Sequence, residues 1–197
     1  MKNAIILHGG YSTPKSFWYP SIQRFLEGRG YSVWVPQLPV PEKPDLTNWL
    51  PYVVEHGKFS ESTILIGHSL GGALLLSVLE QLRSPVYKAI FVAAFGNSRW
   101  LKKESTEPML KKRYNWKRMG QNARDIIIIN SSADPWRCDE KQGLYLWKRL
   151  GGTLILRENE GHMGSDAAKQ SYTRFYLLEK LLELTYSRQM LDGSDSG

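Results

Sequence analysis

Gly67-His68-Ser69-Leu70-Gly71 lies between an apolar run, Ile64-Leu65-Ile66, and a helical pattern that begins Ala73-Leu74-Leu75-Leu76. A G-x-S-x-G at a strand-to-helix turn constrains the backbone severely, because the turn is tight and a Cβ at either glycine would strike neighbouring main chain. Such a turn lifts its serine clear of the sheet and presents the hydroxyl as a nucleophile. The five-residue pattern also arises by chance; the strand before it and the helix after it are what single it out.

A serine hydroxyl is a poor nucleophile unless a histidine takes its proton and a carboxylate orients that histidine. Of four histidines, His68 belongs to the turn itself and is expected to point away from Ser69. His8 ends the first apolar strand, and His56 sits in a polar segment. His162 remains, in a loop after the strand pattern Thr153-Leu154-Ile155-Leu156. The acid candidate is Asp134, in Ser132-Ala133-Asp134-Pro135 just after the isoleucine run 126–129. Asp-Pro after a strand is also an ordinary turn, and a glycine-flanked histidine is often a surface residue. Asp125 precedes its strand, Asp139 and Asp166 read as first-turn helix residues, and Glu158 and Glu160 lie too near His162 in sequence. The order Ser69, Asp134, His162 is that of the α/β-hydrolases. On this reading Ser69 and His162 approach within about 2.6–3.2 Å, or more loosely in an empty site.

Short apolar runs near 3–8, 31–36, 62–67, 88–94, 125–130 and 153–157 alternate with helical patterns near 15–28, 46–57, 70–83, 137–150 and 166–186. Strands with so little polar alternation are covered on both faces, which predicts a mostly parallel sheet between helical layers. The expected fold is α/β, a three-layer sandwich of six strands in the order 2-1-3-4-5-6. In such a sheet the ligand site lies where the strand order reverses, beyond the carboxyl ends of strands 1 and 3. The loop after His8 then faces the loop after Gly67. The backbone N–H groups of Leu70 and Gly10 are the expected oxyanion donors, with Tyr11 as the fallback for the second.

Leu7-His8-Gly9-Gly10, Trp18 in the first helix, Ile66-Gly67-His68-Ser69-Leu70-Gly71, Ser132-Ala133-Asp134-Pro135, Gly161-His162 and the aromatic stretch Tyr114-Asn115-Trp116-Lys117 resemble the small serine hydrolases of the retinoblastoma-binding protein nine type. The resemblance runs from residue 3 to about 183. It implies an α/β-hydrolase core without the first antiparallel strands and without a large lid, with Ser69, Asp134 and His162 as the triad.

Segment 95–124 exceeds the usual connection length and carries Trp100, Met109, Leu110, Tyr114, Trp116 and Met119. Two readings stand side by side: a small cap over the nucleophile, or ordinary helix packing. Tyr11, Trp18, Trp100 and Trp116 are the aromatic candidates for a substrate pocket. The segment also carries Arg99, Lys102, Lys103, Lys111, Lys112, Arg113, Lys117, Arg118 and Arg124, much of the formal charge of +7. A solvated basic face explains these more cheaply than nucleic acid, for which no binding motif is present. The turn at 67–72 lacks the Gly-Lys-Ser/Thr of a nucleotide-binding loop.

The 197 residues fit one domain, expected over 1–190 with a disordered tail at 191–197. A single cysteine, Cys138, argues against disulfides and a structural zinc site; no metal or cofactor is expected. The apolar run 4–7 is far shorter than a signal-peptide core, and no run approaches a membrane span, so a cytoplasmic location is expected. The sequence thus predicts hydrolysis of a small carboxylic ester, thioester or amide by an acyl-enzyme route. Alternatives are a non-catalytic interaction module on the same fold, or lyase or perhydrolase chemistry from the same three residues; a protein partner is not specified.

Overall fold

Strands β1 (Asn3–Leu7), β2 (Ser32–Trp34), β3 (Thr63–His68), β4 (Val86–Val92), β5 (Ala123–Ser131) and β6 (Thr153–Arg157) form one sheet ordered β2-β1-β3-β4-β5-β6 in the computed structural model, which describes residues 2–101 and 108–184. Every neighbouring pair is parallel, from Asn3 opposite Ser32 to Ser131 opposite Arg157. Parallel neighbours need long crossovers, and helices supply them. These are α1 (Tyr19–Glu27), α2 (Leu46–His56), α3 (Leu70–Gln81), α4 (Trp116–Gln121), α5 (Glu140–Leu150) and α6 (Tyr176–Glu183). Helices α2, α3, α4 and α5 pack in succession over one face, while α1 and α6 pack on each other over the opposite one.

This layering accounts for the burial pattern. Central β3 is buried at every residue, as expected for a strand covered on both faces. Helix α3 is buried continuously from Leu70 to Leu79, because it is wedged between the sheet and its neighbours α2 and α4. Edge strand β6 has no fully buried residue. Within the core, Lys88 on β4 sits opposite Asp125 on β5, with Nζ 3.4 Å from the carboxylate, and donates to the carbonyls of Leu181 and Leu184 at 3.0 and 2.9 Å. A buried cation thereby ties the end of α6 to the sheet.

Helix starts account for most departures from the sequence reading. Helix α1 begins at Tyr19 rather than near 15, with Pro20 in its first turn where the missing N–H costs nothing. The helix expected over 166–186 begins only at Tyr176. Residues 165–170 instead form a closed loop, in which Ser165 and Gln170 exchange backbone hydrogen bonds of 3.0 and 2.8 Å, so Asp166 is not a helix residue. Segment 95–124 contains a 3-10 turn over Ser98–Trp100 and the short α4; its residues 102–107 lie outside the described residues, as does the expected tail 191–197. No described helix is long and apolar enough to cross a membrane.

Candidate active site

Ser69 occupies the turn between β3 and α3 with φ 54° and ψ −118°, a left-handed conformation that a residue with a side chain adopts only under constraint. The constraint is visible. The Ser69 N–H donates to the Val92 carbonyl at 2.9 Å, and its own carbonyl accepts from Gly72 and Ala73 at 2.9 and 3.2 Å. A Cβ on Gly67 would lie 2.6 Å from the Gly71 carbonyl oxygen, and one on Gly71 would collide with the Leu7 carbonyl. Glycine at both positions is thus a steric requirement of β3, β1 and α3 meeting here.

The loop after β5 brings Asp134 beneath the loop that carries His162. His162 Nδ1 lies 2.7 Å from Asp134 Oδ2, and Asp134 Oδ1 accepts the Trp136 N–H at 2.8 Å. The carboxylate is fully enclosed, with no exposed side-chain surface. With Nδ1–H donated to Asp134, the lone pair of His162 is left on Nε2. Ser69 and His162 line the same cleft, of about 800 Å³. Among the described residues the Ser69 hydroxyl makes no hydrogen bond, so the close contact expected with His162 is not made in this structure.

The competing carboxylates have other tasks. Asp125 faces Lys88, Asp139 caps α5 by accepting the Lys141 N–H at 3.0 Å, and Glu160 pairs with Arg157 and Tyr172. The other histidines are also committed. His8, whose proton affinity is lowered chiefly by burial, spans Gly9 O and the Leu38 N–H, and His56 contacts the Tyr52 carbonyl.

On the facing loop, the Tyr11 N–H donates to the Pro41 carbonyl at 2.8 Å and the Gly9 N–H to Tyr19 Oη at 3.3 Å. The N–H groups of Gly10 and Leu70, both in the cleft wall, have no acceptor among the described residues. Leu70 opens α3, where an N–H has no intrahelical partner.

A model of the family described as serine hydrolase matches residues 4–180. The chain belongs to the serine hydrolase family. Serine hydrolase RBBP9 of Rattus norvegicus is 26% identical over 156 residues, 79% of this chain and 82% of that one. The ydeN gene product of B. subtilis superposes with a TM-score of 0.84 at 23% identity, over 92% of this chain and 97% of that chain. A YdeN-like hydrolase from Pectobacterium atrosepticum gives a TM-score of 0.71 at 17% identity, over 92% and 89% of the two chains. The fold of this serine hydrolase is accordingly that of the α/β-hydrolases.

The aromatic candidates of this serine hydrolase separate once their positions are known. Tyr11 lines the cleft and is 70% exposed. Trp18 does not line it; it is wholly buried, donates Nε1–H to the Met163 carbonyl at 2.9 Å and packs against Phe175. Trp100 and Trp116 stand away from the cleft against Tyr145, drawn there by edge-to-face ring contacts at 5.5 and 5.8 Å. Among the described residues of segment 95–124, Phe95, Leu101 and Pro108 reach the cleft, joined by Phe17 and Trp136 from elsewhere.

Two supporting groups carried no signal in the sequence. Gln170 accepts the His162 N–H at 2.8 Å and donates to the Glu160 carbonyl at 2.8 Å, clamping the loop from within. His68, fully enclosed, donates Nε2–H to the His162 carbonyl at 2.9 Å, and burial, then the nearby His162, push its pKa down to about 3. Metal-ligating types also meet here: ligand atoms of Asp134, Cys138 and His162 all lie within 4.8 Å. A metal there would have to break the Asp134–His162 hydrogen bond, and burial and the adjacent carboxylates hold the Cys138 thiol protonated.

Proposed function

We propose that the chain is a single-domain carboxylic ester hydrolase acting through an acyl-enzyme on Ser69, with His162 as general base and acid and Asp134 as its orienting carboxylate. One observation carries the reading: the 2.7 Å contact between His162 Nδ1 and the enclosed Asp134 carboxylate, in the wall of the cleft that Ser69 shares. Deprotonated at Nε2, His162 can take the hydroxyl proton as Ser69 Oγ attacks the acyl carbon, then pass it to the departing alkoxide. A water molecule, activated by the same nitrogen, releases the carboxylic acid. The N–H groups of Gly10 and Leu70 are assigned to the oxyanion, and the commitment of Tyr11 to Pro41 supports Gly10 as the second donor.

The Phe17, Phe95, Leu101 and Trp136 side chains around the cleft favour a small apolar or aromatic acyl group. The proposal includes a cytoplasmic setting, supported by a lone cysteine that is buried and unpaired. A fluorophosphonate probe should label the wild type and leave Ser69→Ala unlabelled, and the wild type alone should turn over short p-nitrophenyl esters. Labelling of both proteins, or of neither, would remove Ser69 as nucleophile.

A further inference from the structure

Beyond Pro108 a second concavity, of about 960 Å³, adjoins the cleft. Pro108 lines both, and Phe95 of the cleft is followed directly in the chain by Gly96 of the groove. The groove is built from inside: wholly buried Gln142 accepts the N–H groups of Gly96 and Asn97, each at 3.1 Å, and donates to the Asn97 carbonyl at 2.7 Å.

Charge and ring placement distinguish this groove from an ordinary surface hollow. Arg99, Lys111, Lys112 and Arg113 from the β4–β5 connection meet Arg149 from α5, and no carboxylate lines the groove among the described residues. Lys111 is paired with Glu80 at 2.7 Å; the other four have no ion-pair partner among the described residues. Flat rings line the same groove. The Arg149 guanidinium lies 4.4 Å from the Tyr145 ring centroid and 5.2 Å from that of Trp116, which meets Tyr114 at 5.2 Å. Four cations brought together with no paired carboxylate among the described residues repel one another, and a bound anion relieves that repulsion. Guanidinium and ammonium groups donate to phosphate oxygens, and a guanidinium plane stacks on a flat heterocycle as Arg149 does on the Tyr145 ring.

We infer that this groove is the leaving-group subsite of the enzyme, holding a phosphate-bearing heteroaromatic end, so that the substrate is an ester or thioester of a nucleotide-like carrier. The inference rests on the hydrolytic reading above and extends it. The reaction is RCO–X–R′ + H2O → RCO2H + HX–R′, with X oxygen or sulfur. The Ser69 Oγ–carbon bond forms as carbon–X breaks, and the hydroxyl proton passes through His162 to X. Water then supplies the oxygen of the acid and restores the Ser69 hydroxyl.

The test compares wild type with Lys112→Glu/Arg149→Glu, both positions being exposed and outside the proposed chemical machinery. Free coenzyme A and ADP are titrated by calorimetry, which needs no turnover, and acetyl-coenzyme A and p-nitrophenyl acetate are assayed as substrates. Expected are coenzyme A binding at least about tenfold weaker in the variant and weaker in added salt. The KM for acetyl-coenzyme A should rise by a similar factor with kcat unchanged, and p-nitrophenyl acetate kinetics should not move. No binding by wild type, equal binding by both proteins, or inorganic phosphate binding as tightly as coenzyme A would overturn the inference. So would ADP that binds without inhibiting acetyl-coenzyme A hydrolysis, or a single-stranded oligonucleotide that binds more tightly than coenzyme A. Loss of Ser69 labelling would instead strike the hydrolytic reading, leaving the binding result to be read separately.

Discussion

Tyr19 Oη lies 2.6 Å from His68 Nδ1, wholly inside the protein. Because His68 gives its only ring proton to the His162 carbonyl, Nδ1 is bare and the tyrosine hydroxyl donates to it. The same hydroxyl oxygen accepts the Gly9 N–H. A chain of three hydrogen bonds therefore runs from the glycine loop through α1 and the Ser69 turn to the His162 loop. Tyr19→Phe should leave a buried imidazole nitrogen and a buried N–H unpaired, costing about 1–3 kcal/mol each. Urea unfolding should show the loss as a lower midpoint, and kcat for p-nitrophenyl acetate should fall by about tenfold through misplacement of the two loops. An unchanged midpoint would show that the hydroxyl contributes nothing there.

Asp134→Asn keeps the shape of the side chain but can turn an N–H₂ towards His162, favouring the tautomer with its proton on Nε2. The expected result is a fall in kcat of about 10⁴-fold, with stability nearly retained. Ester turnover and a thermal scan on the same preparation separate this outcome from misfolding. Retention of more than about a tenth of wild-type kcat would contradict the assigned role.

Acid should destabilise the fold through its buried neutral histidines. His68 is pushed down to about 3 and His8 is also lowered, while both titrate near 6.5 when unfolded. Between those values the unfolded chain binds protons that the folded chain refuses, so stability rises with pH across the window and is lost as pH falls below about 6.5. At about pH 5 the His68 contribution alone amounts to about 2 kcal/mol. Denaturant midpoints measured at neutral pH and at about pH 5 should differ in that direction, and His68→Asn should flatten the slope. A midpoint that rises on acidification would refute the assignment.

Lys88→Met should be among the most destabilising single changes, because it strands the Asp125 carboxylate and frees the end of α6. The expected loss is about 3–5 kcal/mol, and adding Asp125→Asn should recover part of it. A double variant less stable than the single one would show that the two side chains do not act as a pair.

The chemical turn was legible because its determinants are local: two glycines around a serine, a β run before and a helical run after. The six strands were legible for a related reason, since burial on both faces leaves uninterrupted apolar runs such as Ile126–Ile129. Trp18 was not. An aromatic at the entry to the first helix carries no mark of which neighbour it will meet, and only packing against Phe175 and the Met163 carbonyl makes it a core residue. The helix expected from 166 failed for a similar reason. Gln170, a good helix former, is drawn instead to the His162 amide and Glu160 carbonyl, and the backbone from 165 to 170 closes around it.

The amino-acid sequence by itself determined the six strands, the strained serine turn, the serine hydrolase family and the short list that contains Asp134 and His162, because periodicity, turn chemistry and motif spacing act over a few residues. Tertiary structure alone decided which carboxylate meets which imidazole, which N–H groups are left without acceptors, and which basic residues converge on one groove. Those outcomes depend on contacts between residues far apart in the chain, such as Tyr19 with His68 and Trp116 with Arg149, and a side chain's partner across the fold is set by the packing of whole layers.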